Sequence, residues 1–476
     1  MVFGLNEFSI RFASALFGSL TIILVFLISL SLFKGNKSKY IIALASALML
    51  AIMPWHVNLS RVGVESTSVV FFISLGVYFY LRYLEGKSKF LFILSFISFG
   101  INFFIYQAPR AFLPLFLPLM AFSLIEIKSV IKNKLQIILY LLFIVLPVVL
   151  IILSPSLSWR IQTLSIFHHP ETKLVIQEQL TNDGVLEVPR LVSRAMHNKL
   201  TGYSLLFLDN YFSHLSYGFL FSDEGFPDRF RIPGTGLLYV FQLPLLLISF
   251  VLLYNKYRKI SYFLFGWVGI AMLGSALTYD DIPNLQRTLI AVPAFAILSG
   301  YGISVLIDNF KNKKYFLPLT LVPALIIVFS LSYFLVQYFT QGRVYMTWNR
   351  QDGYKELVKK TEELMPNYER AVITGRETGS TLLFLFYSKA DPLEFQKASR
   401  RIDMSRTDRI SYGNFEFSEE ECPLRFDEKK QELTGQKNVL YVNSGLCEKN
   451  IPGTNLLYVI KRAGGFSEAF HILKVK

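Results

Sequence analysis

Pro54-Trp55-His56-Val57-Asn58-Leu59-Ser60-Arg61-Val62-Gly63-Val64-Glu65 reads as a short polar turn between two long apolar runs. It holds a Trp, a His, an Arg and a Glu, whereas the runs on either side carry almost nothing that ionises. Whatever chemistry the chain performs is therefore expected at turns of this kind. On spacing alone, Trp55 would anchor a helix at a bilayer surface. Arg61 and Glu65 would form an i,i+4 ion pair worth a few tenths of a kcal/mol.

Working outward, the chain of 476 residues is 53% hydrophobic and 15% aromatic, with 44 Phe. That is too apolar for a soluble protein of this size, and it predicts a polytopic α-helical membrane protein. Crossing roughly 30 Å of hydrocarbon at 1.5 Å per residue takes about 17 to 25 apolar residues. Runs of this kind fall at about 12–33, 40–54, 67–84, 89–106, 111–127, 135–154, 234–254, 260–278, 288–307 and 315–339. Ten transmembrane helices are expected, the second of them short. Pro114, Pro118, Pro147, Pro293 and Pro323 lie inside runs, which a bundle tolerates because neighbouring groups satisfy the freed carbonyls.

The basic residues set the orientation. Turns at 34–39, 82–89, 126–134, 256–259 and 308–314 hold 15 Lys or Arg. The alternate turns at 55–66, 107–110 and 279–287 hold only Arg61, Arg110 and Arg287, with Glu65, Asp280 and Asp281. By the positive-inside rule the first set is cytoplasmic and the second is not. The net charge of +14 then reports orientation rather than a nucleic-acid partner. Two domains follow: a membrane domain over 1–340 with a large external loop at 155–233, and an extracytoplasmic α/β domain over 341–476. Met1 also falls outside, so a helix upstream of it is expected. Cys422 and Cys447, the only cysteines, lie in the external tail, where a disulfide and two free thiols are both open.

Within the tail, 353–364 and 379–388 read as helices, and 370–374, 438–443, 455–461 and 468–475 as strands. Gly375-Arg376-Glu377-Thr378-Gly379 reads as a plain loop into a helix. The external loop carries His168, His169, His197 and His214 among interleaved aromatics. It reads equally as amphipathic helices on the membrane face or as a solvated loop. The small residues Ala13, Ser14, Ala15, Gly18 and Ser19 suggest close helix packing in the first span.

Phe3, Gly4, Glu7, Arg11, Ser14, Ala15, Leu16 and Gly18, followed by Pro54, Trp55, Ser60, Arg61 and Glu65, carry a resemblance. Their order is similar to that in lipid-carrier-dependent glycosyltransferases of the GT-C superfamily, bacterial relatives of protein O-mannosyltransferases and the aminoarabinose transferase of lipid A. Tyr106 to Leu115 is similar to the segment where that family places a cation near the lipid phosphate. Pro283 to Pro293 looks like its late turn and helix. The resemblance covers about 1–340. It implies a GT-C-like bundle that transfers a sugar from a polyprenyl-phosphate carrier to an extracytoplasmic glycan, lipid or protein acceptor, at a plasma (inner) membrane. In the family the key carboxylate lies in an external loop upstream of the first phrase quoted, a position before residue 1 here. An N-terminally truncated chain, with little transfer activity by itself, is expected.

The spans lack ionisable groups at mid-membrane, unlike ion-coupled transporters. Arg61, Arg110 and Arg287 sit at the external ends of three helices, and a guanidinium grips phosphate with two bonds. They are the candidate lipid-phosphate ligands; the competing reading is that they snorkel to the interface. Glu65 is the candidate catalytic carboxylate, placed where the resembling enzymes shape the sugar or acceptor site. A divalent metal is left open. The alternative function is a non-catalytic polytopic protein that binds or flips lipid-linked glycans.

Overall fold

The structure, a computed structural model, describes residues 3–124, 134–154, 159, 162–310, 316–376, 379–399, 410–427 and 431–476. Residues 126–133 and 311–314 of the predicted basic turns, and Glu377 and Thr378 of the 375–379 loop, lie outside the described residues. The chain divides into two units, Arg11–Tyr338 and Phe339–Lys476 with Met1–Ile10.

The first unit is helical. The helices are α1 (Glu7–Leu32), α2 (Lys39–Ile52), α3 (Pro54–Val62), α4 (Glu65–Gly86), α5 (Lys89–Ile105), α6 (Ala108–Leu124) and α7 (Lys134–Leu153). After the external loop come α8 (Pro170–Val185), α9 (Arg190–Met196), α10 (Lys199–Ser213) and α11 (Tyr217–Phe221). Then follow α12 (Gln242–Lys256), α13 (Arg258–Ala276), α14 (Val292–Phe310) and α15 (Phe316–Phe339). Among the described residues, five helical stretches are long and apolar enough to cross a membrane: α1, α4, α13, Leu289–Phe310 and Leu321–Val344. The bent pair α2–α3 makes a sixth, and α5, α6, Ile137–Leu153 and α12 are shorter apolar helices. Each of the ten predicted runs thus has its helix.

The stretch at 54–65 departs from expectation, because it is a helix and not a turn. Met53 is extended (ψ 122°), the conformation forced on a residue before proline, and Pro54 opens α3 where its missing N–H costs nothing. The result is a 54° bend between α2 and α3. α3 stops at Gly63, whose left-handed backbone (φ +88°) suits glycine, and α4 restarts at Glu65. Arg61 and Glu65 therefore sit on different helices, and among the described residues no ion pair joins them.

Trp55 is likewise no surface anchor. It is 1% exposed, and its indole N–H donates to the Leu285 carbonyl at 2.7 Å. On α1 the small-residue face is narrower than the sequence suggests: Ser14 and Gly18 are buried, while Ala13, Ala15 and Ser19 are exposed. The Ser14 hydroxyl donates to Leu59 O on α3 at 3.2 Å. Aromatic packing joins α6 to α13, with Phe116 and Trp267 centroids 5.0 Å apart. Lipid tails are as apolar as these side chains, so such contacts hold helices together by dispersion and fit rather than by expulsion of water.

The second unit carries α16 (Tyr354–Leu364), α17 (Ser380–Tyr387) and α18 (Pro392–Ser399). Its strands are β1 (Arg370–Ile373), β2 (Phe415–Phe417), β3 (Phe426–Asp427), β4 (Glu432–Leu433), β5 (Val439–Ser444), β6 (Thr454–Lys461) and β7 (Glu468–Val475). The main sheet has the order β2-β1-β5-β7-β6. β1 is parallel to both its neighbours, and β7 is antiparallel to both of its own. β5 is buried on both faces: Leu440 and Val442 share a core with Leu357 of α16 and Phe384 of α17, and Val439 and Tyr441 share another with Leu424. Cys422 and Cys447 form a disulfide. Glu7 pairs with Lys355 at 2.6 Å. Sequence patterning missed α18, and also β2 and the β3–β4 hairpin, whose strands of two or three residues are too short for a periodic signal.

Candidate active site: an apolar cavity ending in two arginines

α6, α7 and the outer end of α13 enclose a cavity of about 570 Å³. Its walls are apolar, with Ala111 and Pro114 from α6, Val148 and Ile151 from α7, and Leu273 and Leu277 from the α13 side. Its polar lining includes Arg110, Arg287, Thr278 and Ser165. Leu115, Ile144 and Val148 line it and are also exposed on the outer surface, so the cavity opens sideways, where hydrocarbon would lie.

A backbone carbonyl holds each arginine, joined at Arg287 by two side-chain acceptors. Arg110 is the third residue of α6; its Nε and Nη2 both donate to Phe103 O, at 3.2 and 2.9 Å. Arg287 follows α13 in the turn that leads to α14, and is 8% exposed. Its Nη1 donates to Thr278 Oγ1 (2.7 Å) and Asp280 O (2.8 Å), and its Nη2 to Asp280 Oδ1 (3.0 Å). A guanidinium has five N–H donors. Three are engaged, which leaves Nε–H and one Nη2–H for an anion.

The Arg287 turn is tied to the external loop through a buried imidazole. His214 follows α10 and is 0% exposed. Its Nδ1 faces Asn210 O at 2.6 Å and its Nε2 faces Ser275 Oγ at 2.8 Å. The Asn284 N–H donates to the same Nε2 at 3.0 Å. Since Nε2 accepts there, the ring is neutral with its proton on Nδ1. Burial above all, with the Arg287 charge assisting, lowers its pKa from the ordinary 6.5 to about 4. Asn284 Oδ1 in turn accepts the backbone N–H of Gln286 and of Arg287, at 3.0 and 2.8 Å. Sequence reasoning recorded His214 only as one of four loop histidines. Asn284, three residues before Arg287, did offer a local signal, since Asn side chains fold back onto the backbone just ahead of them.

Carboxylates lie beside this turn. Asp281 has its pKa raised, first by burial and then by the neighbouring Asp280, against the pull of Arg287 and Arg229. The sequence reading counted both aspartates only as turn charges. The remaining predicted residues are placed elsewhere. Arg61 lies with its guanidinium 5.0 Å from the Tyr338 ring centroid, and Glu65 is an exposed first-turn residue of α4; neither lines the cavity. Of the three predicted arginines the fold brings together two. His169 stacks on Tyr279, centroids 3.5 Å apart. Among the described residues no group of three or more His, Cys, Asp or Glu is arranged to hold a metal ion.

A helical bundle with several apolar spans, and an apolar cavity whose polar lining includes two guanidiniums, defines a class: the multi-pass membrane proteins. Residues 1–159 match the family described as dolichyl-phosphate-mannose-protein mannosyltransferase. Over that stretch the resemblance to the GT-C glycosyltransferases is borne out. The fold is similar to the crystal structure of ArnT from Cupriavidus metallidurans bound to undecaprenyl phosphate, at 13% identity and a TM-score of 0.46, covering 99% of this chain and 85% of that one. It is similar also to the apo state of the same protein, at 11% identity and a TM-score of 0.46, covering 97% and 83%. Among curated proteins none matches by sequence.

Proposed function

We propose that this chain is a membrane glycosyltransferase that takes a sugar from a polyprenyl-phosphate carrier and delivers it to an acceptor hydroxyl on the extracytoplasmic side of a plasma (inner) membrane. The observation that carries this reading is the meeting of Arg110 and Arg287 in one cavity that opens to lipid. A prenyl chain would lie along the α6–α7 wall, and the phosphate would take the unused N–H donors of Arg287. The family description over residues 1–159 supports the carrier chemistry, since dolichyl-phosphate mannose is itself a polyprenyl-phosphate sugar.

In the reaction the acceptor oxygen bonds to the anomeric carbon as the bond from that carbon to the phosphate oxygen breaks. The carrier phosphate leaves with the electron pair, and the acceptor proton passes to a carboxylate. Fixed guanidiniums stabilise the charge that grows on the leaving phosphate. Asp281 is proposed for the proton, because its raised pKa favours proton uptake. Asp281 also shares its turn with Arg287, whereas Glu65, the competing candidate, is exposed at the start of α4; neither is part of the cavity lining. A divalent metal on the acceptor side remains part of the proposal.

The test is carrier binding by the purified chain. Arg110→Ala and Arg287→Ala are each expected to weaken it by about 1.5–3 kcal/mol, the scale of a hydrogen bond to a charged group. Lys at either position should restore only part, since it cannot offer two parallel donors. Arg61→Ala is the control and should leave affinity within about 0.5 kcal/mol of the parent. Chelation by EDTA should not change carrier binding. Affinity unchanged in both cavity alanine variants would sink the reading.

A further inference from the structure

The second unit carries an apolar tip that its own core does not use. Between β6 and β7 the chain turns through Ala463, Gly464, Gly465, Phe466 and Ser467. Gly464 and Gly465 both have left-handed backbone (φ +89° and +73°), which glycine adopts without steric cost. Phe466 is 96% exposed, the most open large apolar side chain among the described residues. A lone exposed apolar side chain is ordinary, so its surroundings decide what it does.

Those surroundings are the end of a stretch fit to cross a membrane. Leu321–Val344 is a 24-residue apolar run, about 36 Å of helix against roughly 30 Å of hydrocarbon, so Val344 leaves it at the hydrocarbon boundary. Val344 and Gly464 belong to the same unit and lie in contact. A Cβ on Gly464 would meet Val344 Cγ1 at 3.1 Å and Phe466 Cδ2 at 3.1 Å. The depth is therefore fixed at the tip itself, because Val344 and Phe466 flank one glycine. The segment that follows Val344 pins the turn there. Ala463 N–H donates to Asp352 Oδ2, and Arg462 Nη1 lies 3.5 Å from Asp352 O. Three residues on, Lys355 pairs with Glu7 at 2.6 Å, and Glu7 opens the apolar span α1. Trp348, four residues beyond Val344, is 55% exposed, and tryptophan favours the boundary between hydrocarbon and headgroups.

We propose that the β6–β7 turn is a membrane anchor of the carboxy-terminal unit, with the Phe466 ring among the acyl chains and Trp348 at the headgroup boundary. Its occupant is the bilayer that Leu321–Val344 crosses. The inference rests on that crossing and not on carrier binding or sugar transfer, so either can fail without the other.

The full chain, reconstituted in phosphatidylcholine vesicles with the environment-sensitive fluorophore NBD on a single introduced cysteine, tests it. Ser467→Cys places the label at the tip. Asn455→Cys, exposed at the far end of β6, places it about 20 Å along the strand from Lys461, at 3.3 Å per residue. The native cysteines are tied in their disulfide and take no label. Phosphatidylcholine carrying a doxyl quencher high on its acyl chain should quench the label at 467 several-fold more than the label at 455. Phe466→Asp added to the tip variant should cut that quenching several-fold. Equal quenching at the two positions overturns the proposal. A blue-shifted label at 467 that the doxyl lipid does not quench also overturns it, since protein, such as a second copy of the chain, would then cover the tip. Quenching at 467 that persists in full with Phe466→Asp overturns the assignment of Phe466 as the anchor.

Discussion

His214 is the residue on which the geometry of the Arg287 turn depends. As a neutral ring it donates from Nδ1 to Asn210 O and accepts the Asn284 N–H at Nε2, so a proton on Nε2 would face another donor. Its folded pKa of about 4 lies below the ordinary 6.5. The unfolded chain therefore binds the proton first as pH falls. Stability from this group is complete above pH 6.5, declines as pH falls from 6.5 towards 4, and levels off below. At 1.36 kcal/mol per unit the loss is at most about 3 kcal/mol. Thermal unfolding followed across this range should show the parent losing stability relative to His214→Gln, which cannot titrate. A difference between the two that does not vary with pH would exclude the neutral clamp. Arg287→Ala should leave the pH dependence in place with its midpoint moved upwards, because a positive neighbour is gone.

Helix α3 shows how far local pattern reaches. Its apolar neighbours were legible because span length is written directly into composition, and Arg110 and Arg287 were legible because ionisable residues are rare in such a chain. The helical state of Pro54–Val62 was not legible: its polar residues look like a turn until their distant partners are known. Trp55 finds Leu285 O, 230 positions away, and the Asn58 amide donates to Phe230 O at 2.5 Å, 172 positions away. The same limit hid which arginines meet, because convergence of α6 with the turn after α13 is a property of packing. Trp55→Phe keeps the ring but removes the donor, leaving a buried carbonyl unpaired at a cost of about 1–3 kcal/mol. Gly63→Ala forces a side chain into the left-handed region and should cost about 1 kcal/mol. Chemical denaturation in detergent reads both; a neutral Trp55→Phe would mean that water reaches Leu285 O.

For the whole molecule, the distribution of charge leads to a topology. Among the described residues six stretches are long and apolar enough to cross, counting the bent α2–α3 pair as one, and four shorter apolar helices occupy the other predicted runs; if all ten cross, the even number returns the chain to its starting side. The turns holding Lys34, Lys37, Lys39, Arg82, Lys87, Lys89, Lys256, Arg258 and Lys259 alternate with those holding Arg61, Arg110 and Arg287. Orientation follows Lys and Arg in short loops rather than net charge, so Asp280 and Asp281 do not alter the argument. On that rule we propose that the cavity end bearing Arg110 and Arg287 faces away from the cytoplasm. The same rule assigns the loop carrying α8 to α11 to that side; we propose that side also for residues 341–476, where an oxidising compartment would let the Cys422–Cys447 disulfide persist. Single cysteines introduced at Gly184 in the loop, Lys449 in the carboxy-terminal unit and Lys87 in a basic turn separate the possibilities in intact cells. A membrane-impermeant maleimide should label 184 and 449 and reach 87 only after lysis. Labelling at 87 with protection at 449 would invert the molecule, placing the two arginines and the transfer proposed for them on the cytoplasmic side.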